Sequence, residues 1–229
     1  MTTKRLWLVP AAFLLVASVL DLVSCLASMR ALEIVVKPTL LPLIALTSVA
    51  FLAGRTFNPR MALLLVAGQL FGMTGDALLI GSGFPFFAGG MGAFLLGHIC
   101  YINLFGGVSW KGLGWKTWAI ALPVMGCLLF GLVKVIGISG TLLVPMLVYG
   151  FALMLLIFSG LCGLLKEGAV WWLVVCGGAL FLFSDGLIAL RTFGLESTPW
   201  LGFWIMSTYI IAQCLLAAGG IALACKKAQ

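Results

Sequence analysis

Charge is what this chain has least of. Of 229 residues only 8% are charged, six residues are acidic, and histidine occurs once. A soluble globular domain carries about 25% charged residues, so an ordinary water-facing surface is excluded. Tyrosine is scarce as well, with three residues against 16 phenylalanines and eight tryptophans. The seven cysteines (Cys25, Cys100, Cys127, Cys162, Cys176, Cys214 and Cys225) form no CxxC pair. An odd, dispersed set argues against a disulfide framework or a thiolate metal site. In lipid such residues act as small apolar groups.

What is present is apolar surface: 63% of residues are hydrophobic and the mean hydropathy is +1.25. A membrane-spanning helix needs about 20 mostly apolar residues. Eight segments qualify: 6–26, 35–53, 61–81, 84–106, 116–136, 140–164, 170–191 and 199–223. The expected fold is therefore an all-α membrane bundle of about eight transmembrane helices, one transmembrane domain over residues 1–229. That length leaves no room for an added soluble domain. Lys4 and Arg5 before Leu6–Leu20, with Leu22–Cys25 after, imitate a signal peptide, but a retained first span fits the seven that follow. Gly54–Pro59, Gly81–Pro85, Gly106–Gly114 and Glu196–Pro199 supply the breaks. Trp7, Trp110, Trp115, Trp118, Trp171, Trp172 and Trp200 fall near the expected interfaces, as an aromatic belt requires.

The formal charge of +7 would suggest nucleic acid in a soluble chain. Here the bases are scattered in loops and read as topology signals, so no nucleic-acid partner is expected. One side holds Lys4, Arg5, Arg55, Arg60, Lys111, Lys116, Lys166, Lys226 and Lys227; the other holds Arg30, Lys37, Lys134 and Arg191. The excess predicts both termini inside. Gly75-Asp-Ala-Leu-Leu and Ser184-Asp-Gly-Leu-Ile resemble one another four spans apart, which would suit two parallel four-helix halves.

Two of the acids, Asp76 and Asp185, lie inside spans, as does His98. An ionisable group at membrane depth costs roughly 3 kcal/mol or more, so it turns toward a protein interior and commonly carries function. Asp76 shares its helix face with Gly72, Gln69 and Gly68; Asp185 shares its face with Phe181, Gly178 and Gly177. Small faces let helices approach closely. Each carboxyl has a plainer reading, a packing hydrogen bond or cap for Asp76 and a pair with Arg191 for Asp185. His98, with Tyr101 at i+3, is either a structural hydrogen-bonder or an acid–base partner. Lys37, next to Pro38, either snorkels or meets a phosphate. Tyr149, Tyr209 and Gln213 lie at mid-depth, suited to interhelical bonds or to ligand contact. Asp21 and Glu33 are expected to be solvated near the outer end of the first span, with Glu33 beside Arg30 or Lys37.

Lys37-Pro38, Gly75-Asp76-Ala-Leu-Leu, Phe94-Leu-Leu-Gly-His98-Ile-Cys-Tyr101, Tyr149, Gly178-to-Asp185 and Tyr209-Ile-Ile-Ala-Gln213 occur in this order. This ordered set resembles the lysoplasmalogenase family, also called YhhN-like membrane proteins. The resemblance implies an eight-span membrane hydrolase that cleaves the vinyl ether of lysoplasmalogens, releasing a fatty aldehyde and glycerophosphoethanolamine or glycerophosphocholine. The implied partners are a lysophospholipid substrate and membrane lipids, in a bacterial cytoplasmic membrane; no cofactor is expected. Vinyl ether hydrolysis needs an acid to protonate the β-carbon and a carboxylate to stabilise the resulting cation and activate water, much as in glycosidases. Asp76 and Asp185 are the candidate pair, with His98 orienting one of them or shuttling a proton. Lys37 would engage the phosphate, and Tyr101, Tyr149, Tyr209 and Gln213 would contact substrate or water. One histidine among two carboxylates makes a poor zinc site, so no metal ligand is assigned, although an Asp–Asp–His set could hold a divalent cation. The rival expectation is a proton-coupled carrier, which would favour broken helices; Pro145 is the one candidate interior break.

Overall fold

The computed structural model describes residues 5–138, 140–194, 196 and 198–226. Lys4 and Lys227, two of the bases used to orient the chain, lie outside the described residues. The elements are α1 (Leu8–Leu26), α2 (Arg30–Leu52), α3 (Pro59–Ile80), α4 (Phe84–Ser109), α5 (Trp115–Ile136), α6 (Leu143–Glu167), α7 (Trp172–Phe193) and α8 (Pro199–Lys226). Single 3₁₀ turns, Gly140–Leu142 and Ala169–Trp171, lead into α6 and α7. Each of the eight is long and apolar enough to cross a bilayer. Helices suit that environment because every backbone group is satisfied within the segment. The seven cysteines are free thiols.

Several boundaries differ from the sequence expectation, each for a local reason. Helix α2 starts at Arg30, because the Arg30 guanidinium bonds Glu33 at 2.9 Å and the Ile80 carbonyl at 3.1 Å. That ties the start of α2 to the end of α3. Pro38 and Pro42 consequently lie inside α2, and Pro123 lies inside α5. Pro145, expected to break a helix, sits instead in the first turn of α6, where a proline removes no intrahelical bond. Helix α4 runs through Gly106 and Gly107, which were expected to be loop. Its end is held by Lys166, whose ammonium donates to the Ser109 and Lys111 carbonyls at 2.9 Å each; a cation at a helix C-terminus is favourable. The start of α3 is capped by the Asn58 side chain, which accepts from the Arg60 and Met61 amides.

Helix α8 is the centre of the bundle. It packs on α7 along its length and also on α1, α2 and α3. Correspondingly 61% of its spanning window is buried, against 22% for α5, which lies at the periphery. The α3–α4 and α7–α8 pairs are the most extensive, in matching positions of a two-half arrangement. The match stops there, since α5 packs far less on α6 than α1 does on α2. Side chains such as Phe13, Leu15, Leu63, Leu128 and Val135 point outward, exposed toward lipid.

Trp171 departs from its expected place in an interfacial belt. It is fully buried, with its ring 6.2 Å from that of Phe105. A β-carbon on Gly163 would lie 2.0 Å from the Trp171 ring, so only glycine permits the approach. Gly163→Ala should lower the thermal unfolding midpoint in detergent, by an amount equivalent to about 1–3 kcal/mol. Gly126→Ala, with nothing within 4 Å of the added carbon, should leave it unchanged; equal midpoints for the two variants would contradict this packing.

Candidate active site

Asp76 and Asp185 are each held by a tyrosine from another helix. Tyr209 on α8 donates its hydroxyl to Asp76 Oδ2 at 2.7 Å. Tyr149 on α6 donates to Asp185 Oδ2 at 2.5 Å. The small faces anticipated from sequence are what let these groups meet. Gly68, Gln69 and Gly72 are buried with Asp76 on α3, and Gly177, Gly178 and Phe181 are buried on α7. Gly75 lies so close to the Phe94 ring that a β-carbon there would be 2.6 Å from it. The expected alternative of an Asp185–Arg191 pair is not what the side chains do, since Asp185 bonds Tyr149.

The remaining oxygen of each carboxyl differs in surroundings. Asp76 Oδ1 faces the Lys37 ammonium from α2 at 3.9 Å, and Asp76 is only 2% exposed. Asp185 is half-buried and reaches the wall of a cavity. The Asp76 charge acts on Asp185 and on Tyr149, and Lys37 acts on both aspartates. The two acids thus belong to one electrostatic cluster.

His98 on α4 is buried, with Nε2 3.0 Å from the Tyr149 hydroxyl. Because that hydroxyl donates to Asp185, it accepts from His98, which fixes the Nε2–H tautomer. Nδ1 then has no hydrogen-bond partner among the described residues. His98 therefore touches Asp185 through Tyr149 and not directly. Phe181 lies between the two acid–tyrosine pairs, its ring 4.8 Å from His98, 5.5 Å from Tyr209 and 6.2 Å from Phe94. Tyr101 and Gln213 form a separate pair, the phenol donating to Gln213 Oε1 at 3.0 Å.

The cavity has a volume of about 80 Å³, or about 690 Å³ of empty space with its open mouth included. Helices α4 to α7 and the end of α3 build it, through Leu79, Phe87, Met91, Leu129, Leu132, Val133, Met146, Leu153 and Ile188 among others. Among the described residues, Tyr149 and Asp185 are the only polar side chains on its wall. These apolar residues carried no distinguishing signal in the sequence, because lipid-facing and cavity-facing leucines look alike.

Asp21 was expected to be solvated and is instead fully buried on α1. Neither of its carboxyl oxygens has a hydrogen-bond partner among the described residues, and the charges acting on it are Lys37, Glu33 and Asp76. The reason is that α1 packs against α2 and α8 at this depth, turning Asp21 inward. Its side of α1 could have been suspected from Ala17 and Ser24, which share that face and are buried too. Glu33 bonds Arg30, one of the two partners anticipated for it. Among the described residues no three His, Cys, Asp or Glu side chains come together as a metal-binding group.

Comparison with known proteins adds the following. The model of the YhhN family matches residues 32–220. Lysoplasmalogenase TMEM86A of Bos taurus is 30% identical over 161 residues, covering 69% of this chain and 65% of that protein. Lysoplasmalogenase TMEM86B of Rattus norvegicus is 32% identical over 148 residues, covering 64% of this chain and 57% of that protein. Lysoplasmalogenase TMEM86A of Homo sapiens is 29% identical over 169 residues, covering 69% and 65% respectively. The matched regions span less than two thirds of the length of these relatives. No solved structure is significantly similar to this chain.

The Lys37–Asp76 contact makes its own prediction. Lys37→Met leaves a buried carboxyl with one partner and should destabilise the protein by about 3 kcal/mol. Adding Asp76→Asn should recover part of that loss. A double-mutant cycle on thermal unfolding checks it, and additive effects would mean the two groups do not interact.

Proposed function

This chain belongs to the YhhN family, and from that premise we propose that it is a membrane-embedded hydrolase that cleaves the vinyl ether of lysoplasmalogens. The observation that carries the reading is the junction of an apolar cavity with an acid. A long alkenyl chain needs an apolar slot, and its reactive carbons need a proton donor at the end of that slot. Asp185, on the cavity wall and bonded only to a phenol, fits the donor. Asp76, ion-paired with Lys37, fits the carboxylate that stabilises positive charge.

In this reading the Asp185 proton passes to the β-carbon of the vinyl ether, and the double bond becomes an oxocarbenium ion. Water attacks the cation and yields its proton to Asp76, forming a hemiacetal. Collapse returns the hemiacetal hydroxyl proton to Asp185 while the glycerol oxygen leaves with the proton from Asp76. The products are a fatty aldehyde and a glycerophospho-alcohol, and both carboxyls end as they began. Tyr149 and His98 hold Asp185 in line with the cavity, and Tyr209 holds Asp76. Lys37, whose ammonium faces Asp76 at 3.9 Å, serves the lipid phosphate. Tyr101 and Gln213 serve as supports or water contacts. A head group at the outer interface of a bacterial cytoplasmic membrane follows from the expected orientation of the chain, with both termini inside.

Positioned acid–base groups contribute roughly 10² to 10⁴ in rate. Purified Asp76→Asn and Asp185→Asn variants should each lose at least that factor in aldehyde release from lysoplasmalogen while staying folded. Tyr149→Phe should retain partial activity. Saturated lysophospholipid should give no aldehyde, and exhaustive chelation should leave turnover unchanged. Full activity in both asparagine variants would overturn the mechanism; absence of vinyl ether cleavage by the parent protein would overturn the function.

A further inference from the structure

At the opposite end of the bundle from the acid cluster, a cleft of about 520 Å³ opens between α3, α4 and α6. Three bases from three separate elements line it: Arg60 at the start of α3, Lys111 after α4, and Lys166 at the end of α6. Asn58 and Asn103 add polar side chains to the same wall. One carboxylate, Glu167, accompanies them and already faces Lys226 at 3.5 Å. The cleft therefore carries an excess of positive charge, and the α3 N-terminus, a positive helix end, points into the same region. Part of its wall is apolar, formed by the partly exposed Leu64 and Val108 over the buried Met61 and Leu104.

Topology alone accounts for bases on this side of the membrane. It does not account for their convergence from three elements on one cleft, nor for the apolar wall beneath them. We propose that this cleft binds an anionic phospholipid of the inner leaflet, its phosphodiester held by Arg60 and Lys111, with Lys166, whose ammonium already closes the end of α4, adding its charge, and an acyl chain lying on the apolar wall. A phosphate near basic side chains at a membrane surface is attracted by each of them. A free inorganic phosphate would gain nothing from Leu64 and Val108, which is why the lipid is the occupant. The site is separate from the acid cluster and stands independently of the hydrolase reading.

The test uses the full chain purified in detergent, with its unfolding midpoint followed during titration with short-chain phosphatidylglycerol, phosphatidylcholine or inorganic phosphate. Phosphatidylglycerol should raise the midpoint saturably, and the other two should not. The double variant Arg60→Gln/Lys111→Gln, at exposed positions, should need roughly 30-fold more phosphatidylglycerol. A charge-matched variant outside the cleft, Lys116→Gln/Lys134→Gln, should respond like the parent. Vinyl ether turnover in phosphatidylcholine should be the same in all three. An equal response to phosphatidylcholine, a response reproduced by inorganic phosphate, or an undiminished response in the cleft variant would each overturn the proposal.

Discussion

A carboxyl group in a dry, low-dielectric interior is stabilised by a partner, and the pairing of Asp76 and Asp185 organises the bundle, whereas buried Asp21 has no hydrogen-bond partner among the described residues. Leaving a buried polar group unpaired costs several kcal/mol. Here the partners come from different helices: α8 supplies Tyr209 to Asp76 on α3, and α6 supplies Tyr149 to Asp185 on α7. Lys37 from α2 and His98 from α4 complete the cluster. The chain has three tyrosines, and all three make buried side-chain hydrogen bonds. None is spent on an interfacial belt. The acid cluster thus fixes the relative depth of six helices, and the glycine-lined faces bring them close enough to do so.

The two carboxyls are chemically unequal because their neighbours are unequal. Asp76 is enclosed by a phenol and an ammonium; Asp185 has a phenol on one side and an apolar cavity on the other. Pairs of acids with contrasting environments are a recurrent way to divide acid and base roles. A carrier would favour broken helices in matched positions of two halves. The prolines inside α2 and α5 do not occupy corresponding positions of two halves, and α5 lies too far to the edge to complete a second half.

Much of this was legible in the sequence, for a physical reason. Helical spans announce themselves through length and apolarity, and a lone acid within one is rare enough to be noticed, as with Asp76 and Asp185. The boundary errors came from side-chain contacts across helices, such as Arg30 reaching Ile80 and Lys166 closing the end of α4, which no local pattern records. Asp21 was misplaced because its depth in α1 was judged from its distance to the loop, whereas packing against α2 and α8 decides its exposure. Trp171 was assigned to the interface on residue type, yet Gly163 opens an interior slot for it. The walls of the cavity were invisible because any apolar residue can face lipid or a ligand.

The most direct test of the account is whether Asp185 is the acid that holds the proton. Infrared difference spectra between the parent protein and each asparagine variant at neutral pH report the carbonyl stretch of a protonated carboxyl. The account predicts that Asp185→Asn removes a component of this band that Asp76→Asn retains, beyond any contribution of buried Asp21 common to both variants. Loss of that component with Asp76→Asn and its survival with Asp185→Asn would contradict the division of roles drawn from the cavity and the Lys37 ion pair.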